Sequence, residues 1–260
     1  VTTESWAFYS RFRRYLRPAL RTAATPLFLT MKGVNWLVSR NTVDAPFHDP
    51  ARFAWREQVQ ELCGPIQQEI RVLQEHMQHV PRVHDLVPKT GMHYPVSDWR
   101  HVTLKYNGLV IDDHCALFPS AAKILDLVPG ISLLAISVLR PGEVVASHAH
   151  IYRGFLIFHL GLKIPAQNPD CALRVHGEAR SWEEGRILVI DPTYEHDAWN
   201  RTDEDRIIVL CEFSRPDSGR FAKLIDVAYQ RALVLTPVAQ GMLREILVRA
   251  KALRAAVGRA

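Results

Sequence analysis

His148 and His150 stand two residues apart in the stretch G-E-V-V-A-S-H-A-H, from Gly142 to His150. On a β-strand that spacing sends both imidazoles to one face, where they can share a transition metal. His196 follows in the stretch G-R-I-L-V-I-D-P-T-Y-E-H-D-A-W-N, from Gly185 to Asn200. An H-x-H pair is weak by itself, because the chain holds twelve histidines and most histidines are surface groups or hydrogen-bonded core groups. Its weight comes from placement. Both histidine segments flank predicted strands of one β-fold, and the mouths of β-barrels are common ligand sites.

The elements that must position these residues follow from the periodicity. After Trp99 the chain changes to short strands and turns. The predicted strands are His101 to Tyr106, Ser132 to Leu139, Phe155 to Ile164, Leu173 to His176, Arg186 to Ile190 and Arg206 to Phe213. A short helix is predicted from Pro119 to Leu127. Strands at this spacing indicate a mainly β, antiparallel sandwich or jelly roll. Before them, Trp6 to Arg40 reads as one or two helices interrupted by Pro18 and Pro26. Asn41 to Pro50 reads as a loop, with Asp49-Pro50 able to start a helix. Helical spacing runs from Trp55 to Met77, with Gly64-Pro65 as the expected break, and His79 to Ser97 should be irregular. From Arg220 the helical period returns, with Leu243, Ile246, Leu247, Ala250 and Leu253 in one stripe. The resulting division is an N-terminal helical segment (1–50), a β domain (51–219) and a C-terminal helical tail (220–260).

Composition bounds the rest. A chain of 260 residues with 48% hydrophobic and 23% charged residues suits one large folded domain with appendages. The net charge of +5 is uneven. Arg11, Arg13, Arg14, Arg17 and Arg21 cluster near the start, and Arg244, Arg249, Lys251, Arg254 and Arg259 near the end. These clusters read as solvated helix faces or, more sharply, as peripheral contact with an anionic membrane surface. No nucleic-acid motif is present, so no nucleic acid partner is expected. Cys63, Cys115, Cys171 and Cys211 are far apart and suit free thiols in a reducing, cytoplasmic setting. No run of about 18 apolar residues predicts a membrane-spanning helix. Arginines interrupt any apolar core of a signal peptide at the start. The apolar stripe of the tail reads as a docking face, such as that of a homodimer.

The glycine, five residues and H-x-H at Gly142 to His150, with the later proline turn and H-x-x-x-N at His196 to Asn200, resemble the two cupin motifs. The glutamate that should follow H-x-H is absent, and the second motif's glycine is displaced. A longer resemblance runs from about Phe47 to Pro216. F-H-L-G-L-K-I-P (Phe158 to Pro165), C-A-L-R-V-H-G-E-A-R-S-W-E-E-G (Cys171 to Gly185), F-H-D-P-A-R-F (Phe47 to Phe53) and the D-W-R around Trp99 carry it. So do Asp191, Glu195-His196, Trp199, Arg206 to Leu210 and Arg215-Pro216. Together they are similar to the aspartyl/asparaginyl β-hydroxylases, including bacterial lipid A acyl-chain hydroxylases.

The resemblance implies a double-stranded β-helix, cupin-like, that uses iron(II) and 2-oxoglutarate. It implies metal ligation by His148 and His196. It also implies that Arg206 pairs with the far carboxylate of 2-oxoglutarate, with Ser137 and His159 as further contacts. Two positions depart from the family. A carboxylate, where present, lies two residues after the first metal histidine, and this chain has His150 there. His150 either completes a three-histidine site or turns away to hydrogen-bond. Family members often carry arginine at the position of Ile157, which should point into the pocket. Arg153 is a replacement cation, although roughly 13 Å of strand separates it from Ile157. Trp182 and Trp199 are expected to pack in the core, and Asp191 and Asn200 to fix turns or orient His196. The implied activity is hydroxylation of an unactivated carbon. The substrate would be an Asp/Asn-type residue or amino acid, or a lipid acyl chain. The alternatives are a three-histidine, cupin-like iron dioxygenase that needs no 2-oxoglutarate, and a non-catalytic binding module of the same fold.

Overall fold

In the computed structural model, residues 31–40, 42–86 and 97–258 are described. Eleven strands form the framework: β1 (Phe47–His48), β2 (Trp99–Tyr106), β3 (Leu109–Val110), β4 (Ile131–Leu139), β5 (Val144–His148), β6 (Phe155–Lys163), β7 (Cys171–Val175), β8 (Glu178–Arg180), β9 (Ile187–Ile190), β10 (His196–Asn200) and β11 (Arg206–Ser214). They pair into a seven-stranded sheet, in the order β1-β9-β6-β11-β4-β2-β3, and a four-stranded sheet, in the order β5-β10-β7-β8. The named ladders are antiparallel throughout. The chain is thus mainly β, a double-stranded β-helix with helices added at both ends.

Side-chain alternation explains how the large sheet serves two cores at once. On β11, Ile207, Val209, Cys211 and Phe213 join the outer core, while Ile208 and Leu210 join the inner one. On β6, Leu156, Phe158, Leu160 and Leu162 face outward and Ile157 inward. The outer core is covered by helices Arg56–Glu61, Cys63–Glu69 and Arg71–His76, through Val59, Ile66 and Leu73. The inner core lies between the two sheets, where Val145, Leu173, Val175 and Ala198 of the small sheet meet the large one. A strand buried on both faces needs a near-continuous apolar run, which β4 and β11 have.

The six predicted strands are all present, within one or two residues of the expected bounds. β1, β3, β5, β8 and β10 were not predicted. They are short, and β5 and β10 carry the polar residues Ser147, His148, His196, Asp197 and Asn200. Asp49 caps the 3-10 turn Pro50–Arg52 as expected, its carboxylate accepting from the Ala51 amide at 2.9 Å. The helix break falls at Leu62, before Gly64-Pro65. Pro65 sits in the first turn of Cys63–Glu69, where its missing N–H costs no bond. Of the Trp6 to Arg40 stretch, residues 31–38 are helical and residues before 31 lie outside the described ones. Most of the segment expected to be irregular, residues 87–96, also lies outside them.

The tail departs from expectation. Its two helices, Arg220–Val234 and Pro237–Val257, pack back on the molecule. Ile246 and Ala250 bury against Leu86 and Ile111, and Leu253 belongs to the outer core itself. The stripe read as a docking or dimer face is therefore filled largely by the chain's own residues. Among the described residues, no helix is long and apolar enough to cross a membrane. All four cysteines are free thiols, as expected.

If the tail is part of the core, Leu253→Ala should lose about 2–5 kcal/mol of stability, the usual range for a buried leucine. The exposed Leu235 supplies the control, and Leu235→Ala should leave the urea midpoint nearly unchanged. Equal midpoints for the two variants would show that the tail does not contribute to the core.

Candidate metal centre

β5 ends at His148 and β10 begins at His196, and the two residues are direct cross-strand partners. Their ring centroids lie 4.2 Å apart. The β5–β10 ladder slips in register between His196 and Ala198, an irregularity of the kind that re-aims side chains at functional sites. His150 is not on the strand. It lies in the loop after β5, so the shared-face reading of H-x-H fails. The loop still turns the ring inward, with centroids 5.8 Å from His148 and 5.7 Å from His196. One nitrogen from each of the three rings lies within 4.8 Å of the others, a grouping able to hold a metal ion.

The donor set is prepared for a metal. His148 Nδ1 lies 2.9 Å from the Ala146 carbonyl, and His196 Nδ1 lies 2.9 Å from the Tyr194 carbonyl. A carbonyl only accepts, so each Nδ1 carries its proton and each Nε2 presents a lone pair. Burial, then the neighbouring His150, pulls the pKa of His148 down to about 4. Burial, reinforced by His148 and His150, holds that of His196 well below its ordinary value. Both are neutral ligands near pH 7. His150 Nδ1 lies 3.2 Å from the Glu212 carboxylate, which leaves its Nε2 for the cluster. No carboxylate belongs to the cluster among the described residues. Asp197 pairs with Arg174 at 2.7 Å, and Glu212 also accepts from Ser132.

The centre opens on a pocket between the sheets, lined by Trp99, His101, Ser137, Ile157, His159 and Trp182 among others, with Arg206. Arg206 is buried. Its guanidinium carbon stacks 4.7 Å from the Trp182 ring, yet its Nε and Nη1 have no hydrogen-bond partner. Desolvation lowers its pKa to about 10, which still leaves it cationic. A buried unpaired cation is costly unless something completes it. A carboxylate-bearing ligand would do so. Trp182 Nε1 donates to His159 Nδ1 at 3.1 Å, so the proton of neutral His159 sits on Nε2. Trp99 Nε1 donates to Ser137 Oγ at 2.8 Å, leaving the hydroxyl proton free to donate elsewhere.

Of the residues expected from sequence, His148, His150, His196, Ser137, Ile157, His159 and Arg206 all line this one pocket. Arg153 does not. Its buried guanidinium pairs with Asp44 and lies 4.0 Å from Asp191, so it is a structural cation rather than a replacement for the missing arginine. Trp182 is more than core packing, because it touches both His159 and Arg206. Asp191 fixes its turn, accepting from the Thr193 amide and hydroxyl at 2.9 and 2.6 Å. Asn200 fixes the next turn, donating to the carbonyls of Leu139 and Glu204 at 3.0 and 2.7 Å. Sequence reasoning missed His101 and Glu212. Each had a signal in strand periodicity. His101 is two residues after Trp99, and Glu212 is six after Arg206, so each pair shares a face.

The profile of the Aspartyl/Asparaginyl beta-hydroxylase family matches residues 61–216, more than half of the chain. Ornithine lipid ester-linked acyl 2-hydroxylase of Rhizobium tropici is 27% identical over 221 residues, covering 83% of this chain and 78% of that protein. Human aspartyl/asparaginyl beta-hydroxylase is 29% identical over 126 residues, covering 46% of this chain and only 16% of that protein. Among solved structures, a Cupin 2 conserved barrel domain protein from Salinispora arenicola overlaps 55% of this chain and 93% of its own. Its TM-score is 0.32 and its identity 12%, a loose overlap.

The buried imidazoles have a consequence for acid stability. Burial, then Arg206, holds His101 and His159 at about 3, against an ordinary 6.5. Below pH 6.5 the unfolded chain therefore takes up protons that the folded chain refuses. Stability should fall with pH from 6.5 toward 3, by about 1.4 kcal/mol per pH unit for each such group. His101→Gln removes one group and should make the decline shallower by that amount. Denaturant midpoints measured between pH 6.5 and 4 test this, and an unaltered slope would mean that His101 titrates normally.

Proposed function

Since the chain belongs to the aspartyl/asparaginyl β-hydroxylase family and is a hydroxylase, we propose that it hydroxylates an unactivated carbon of an acyl chain, using iron(II) and 2-oxoglutarate. The observation that carries this reading is the unpaired guanidinium of Arg206, buried in the pocket that also holds three clustered imidazoles. Nε2 of His148 and His196 would hold the metal, with His150 as third ligand. Three neutral imidazoles leave a divalent ion with its full charge and open positions, as in facial iron sites. Arg206 would pair with the far carboxylate of the co-substrate, for which its planar fork is suited. Ser137 Oγ and His159 Nε2 are donors toward the same group, each oriented by a tryptophan indole. Iron and 2-oxoglutarate, when bound, supply the oxidising chemistry. The chain supplies position and a dry wall.

The choice of an acyl chain rests on charge. Arg206 is the one lysine or arginine among the described residues that line the pocket. Once it holds a co-substrate carboxylate, no lining cation remains for the carboxylate of an aspartyl side chain. Val145, Ile157, Leu173, Ile190 and Leu210 offer hydrocarbon a matching surface instead. The relative matched over 83% of this chain is named as a lipid acyl hydroxylase. Approach to a lipid–water boundary would use the exposed Trp36, Phe221 and Leu224. Trp36 neighbours Asn35, whose side chain holds the Ile151 carbonyl in the His150 loop at 2.7 Å.

His150 and Ile157 together favour a second reading, a three-histidine dioxygenase without 2-oxoglutarate. One titration separates the two. Anaerobic protein with one equivalent of iron(II) should develop a visible metal-to-ligand charge-transfer band as 2-oxoglutarate is added. Iron binding without the band would favour the second reading. Arg206→Ala should weaken 2-oxoglutarate binding by about 3–5 kcal/mol, the loss typical when one partner of a buried charge pair is removed. Unchanged affinity would end its assigned role. His148→Ala and His196→Ala should each abolish stoichiometric iron, read by metal analysis after gel filtration.

A further inference from the structure

Arg206 leaves its end of the pocket with one cation among the described lining residues. A second feature of that end has no assigned purpose. His101 lies on β2 directly opposite Ser137 of β4. It is 7% exposed, lines the pocket, and packs edge-on against the Trp99 ring at 4.7 Å. Its Nε2 has no hydrogen-bond partner. A buried imidazole nitrogen left bare costs free energy unless a ligand completes it. Arg206 is close by in the sheet: it faces Leu139 of β4, which faces Trp99 of β2, the residue whose ring His101 packs against. Two unsatisfied buried groups, one cationic and one a neutral imidazole, therefore converge on the same part of one pocket.

We infer that His101 is a binding residue for the co-substrate, donating from Nε2 to the carboxylate held by Arg206. This rests on the reading that 2-oxoglutarate is the co-substrate. The chemistry is consistent around the ring of donors. Arg206 supplies the charge, while Ser137 Oγ, His159 Nε2 and His101 Nε2 supply neutral hydrogen bonds. An anion at that point selects the His101 tautomer that carries its proton on Nε2. A carboxylate has about four lone-pair sites, enough for the guanidinium fork and further donors. One cation with neutral donors balances one carboxylate without leaving excess buried charge, which two arginines would do.

The test uses the full chain loaded with manganese(II) under anaerobic conditions, titrated with 2-oxoglutarate by calorimetry. His101→Phe keeps a flat ring and removes the donor, and His101→Gln keeps a neutral donor. His101→Phe should bind 2-oxoglutarate at least about tenfold more weakly than the parent, the size of a lost hydrogen bond to a charged group. Manganese affinity should be unchanged. His101→Gln should recover part of the loss. If His101→Phe fails to fold, His101→Leu, which also lacks the donor, takes its place beside His101→Gln. Affinity within twofold of the parent in the donorless variant, or His101→Gln binding no more tightly than that variant, would overturn the inference. A parent protein that binds manganese but no 2-oxoglutarate would overturn the co-substrate reading, and this inference with it.

Discussion

A single antiparallel pairing, His148 opposite His196, is the constraint on which the site depends. Side chains directly opposite on neighbouring strands have Cβ atoms roughly 5 Å apart. Two imidazoles so placed can converge on one ion without any long reach. The local backbone then decides which nitrogen is offered. Each ring returns its Nδ1 proton to a carbonyl two residues before it in the chain, Ala146 for one and Tyr194 for the other. The same device on two strands gives two Nε2 lone pairs with little rotational freedom left. A slip of one residue in this register would send one ring to the opposite face of the sheet.

Strand β11 places both signs of charge. Arg206 and Glu212 are six residues apart on one face, roughly 20 Å of strand. Arg206 is buried in the pocket, stacked on Trp182, with its Nε and Nη1 left without a hydrogen-bond partner. Glu212 sits near the metal centre, where its carboxylate approaches His150 and accepts from Ser132. Among the described residues the cluster thus has no carboxylate ligand, yet a carboxylate lies one contact away from it, beyond His150. A ligating imidazole backed by a carboxylate is more basic and better oriented than a free one. With a divalent ion bound, that contact would offset part of the positive charge that three neutral ligands leave on it.

Much of this was legible in the sequence, for reasons that differ by residue. The long strands β4, β6 and β11 are buried on both faces, so their apolar runs stand out against turn residues. β5 and β10 did not stand out. They are five residues each and carry the histidines, so the residues that mattered most lay in the elements with the weakest pattern. The pocket residues Ser137, His159 and Arg206 came from resemblance, and the fold brings them together. Arg153 failed because its partners, Asp44 and Asp191, are distant in sequence and adjacent only after folding. The shared-face reading of His148 and His150, which supposed a strand through both, failed for a related reason. The end of β5 is set by pairing with β10, which nothing local in S-H-A-H reveals.

That loop also gives the helices a role in the site. Between His148 and β6 the chain is tied down from several directions. The His150 amide donates to the Pro192 carbonyl at 2.8 Å, within the turn that leads into His196. Asn35, on the helix of residues 31–38, holds the Ile151 carbonyl and accepts from the Arg153 amide. Tyr152 donates to Asp226 and stacks on Tyr229 at 4.1 Å, both on the Arg220–Val234 helix. A Cβ at Gly154 would overlap Asp226 and Tyr152, so the turn permits no side chain there. Arg215 Nε donates to the Arg153 carbonyl at 2.8 Å. A loop without ladder bonds would ordinarily be the least ordered part of such a barrel. Here its backbone polar groups are satisfied by elements far apart in the chain. The segments outside the β domain therefore fix the position of the third histidine, much as strand pairing fixes the first two.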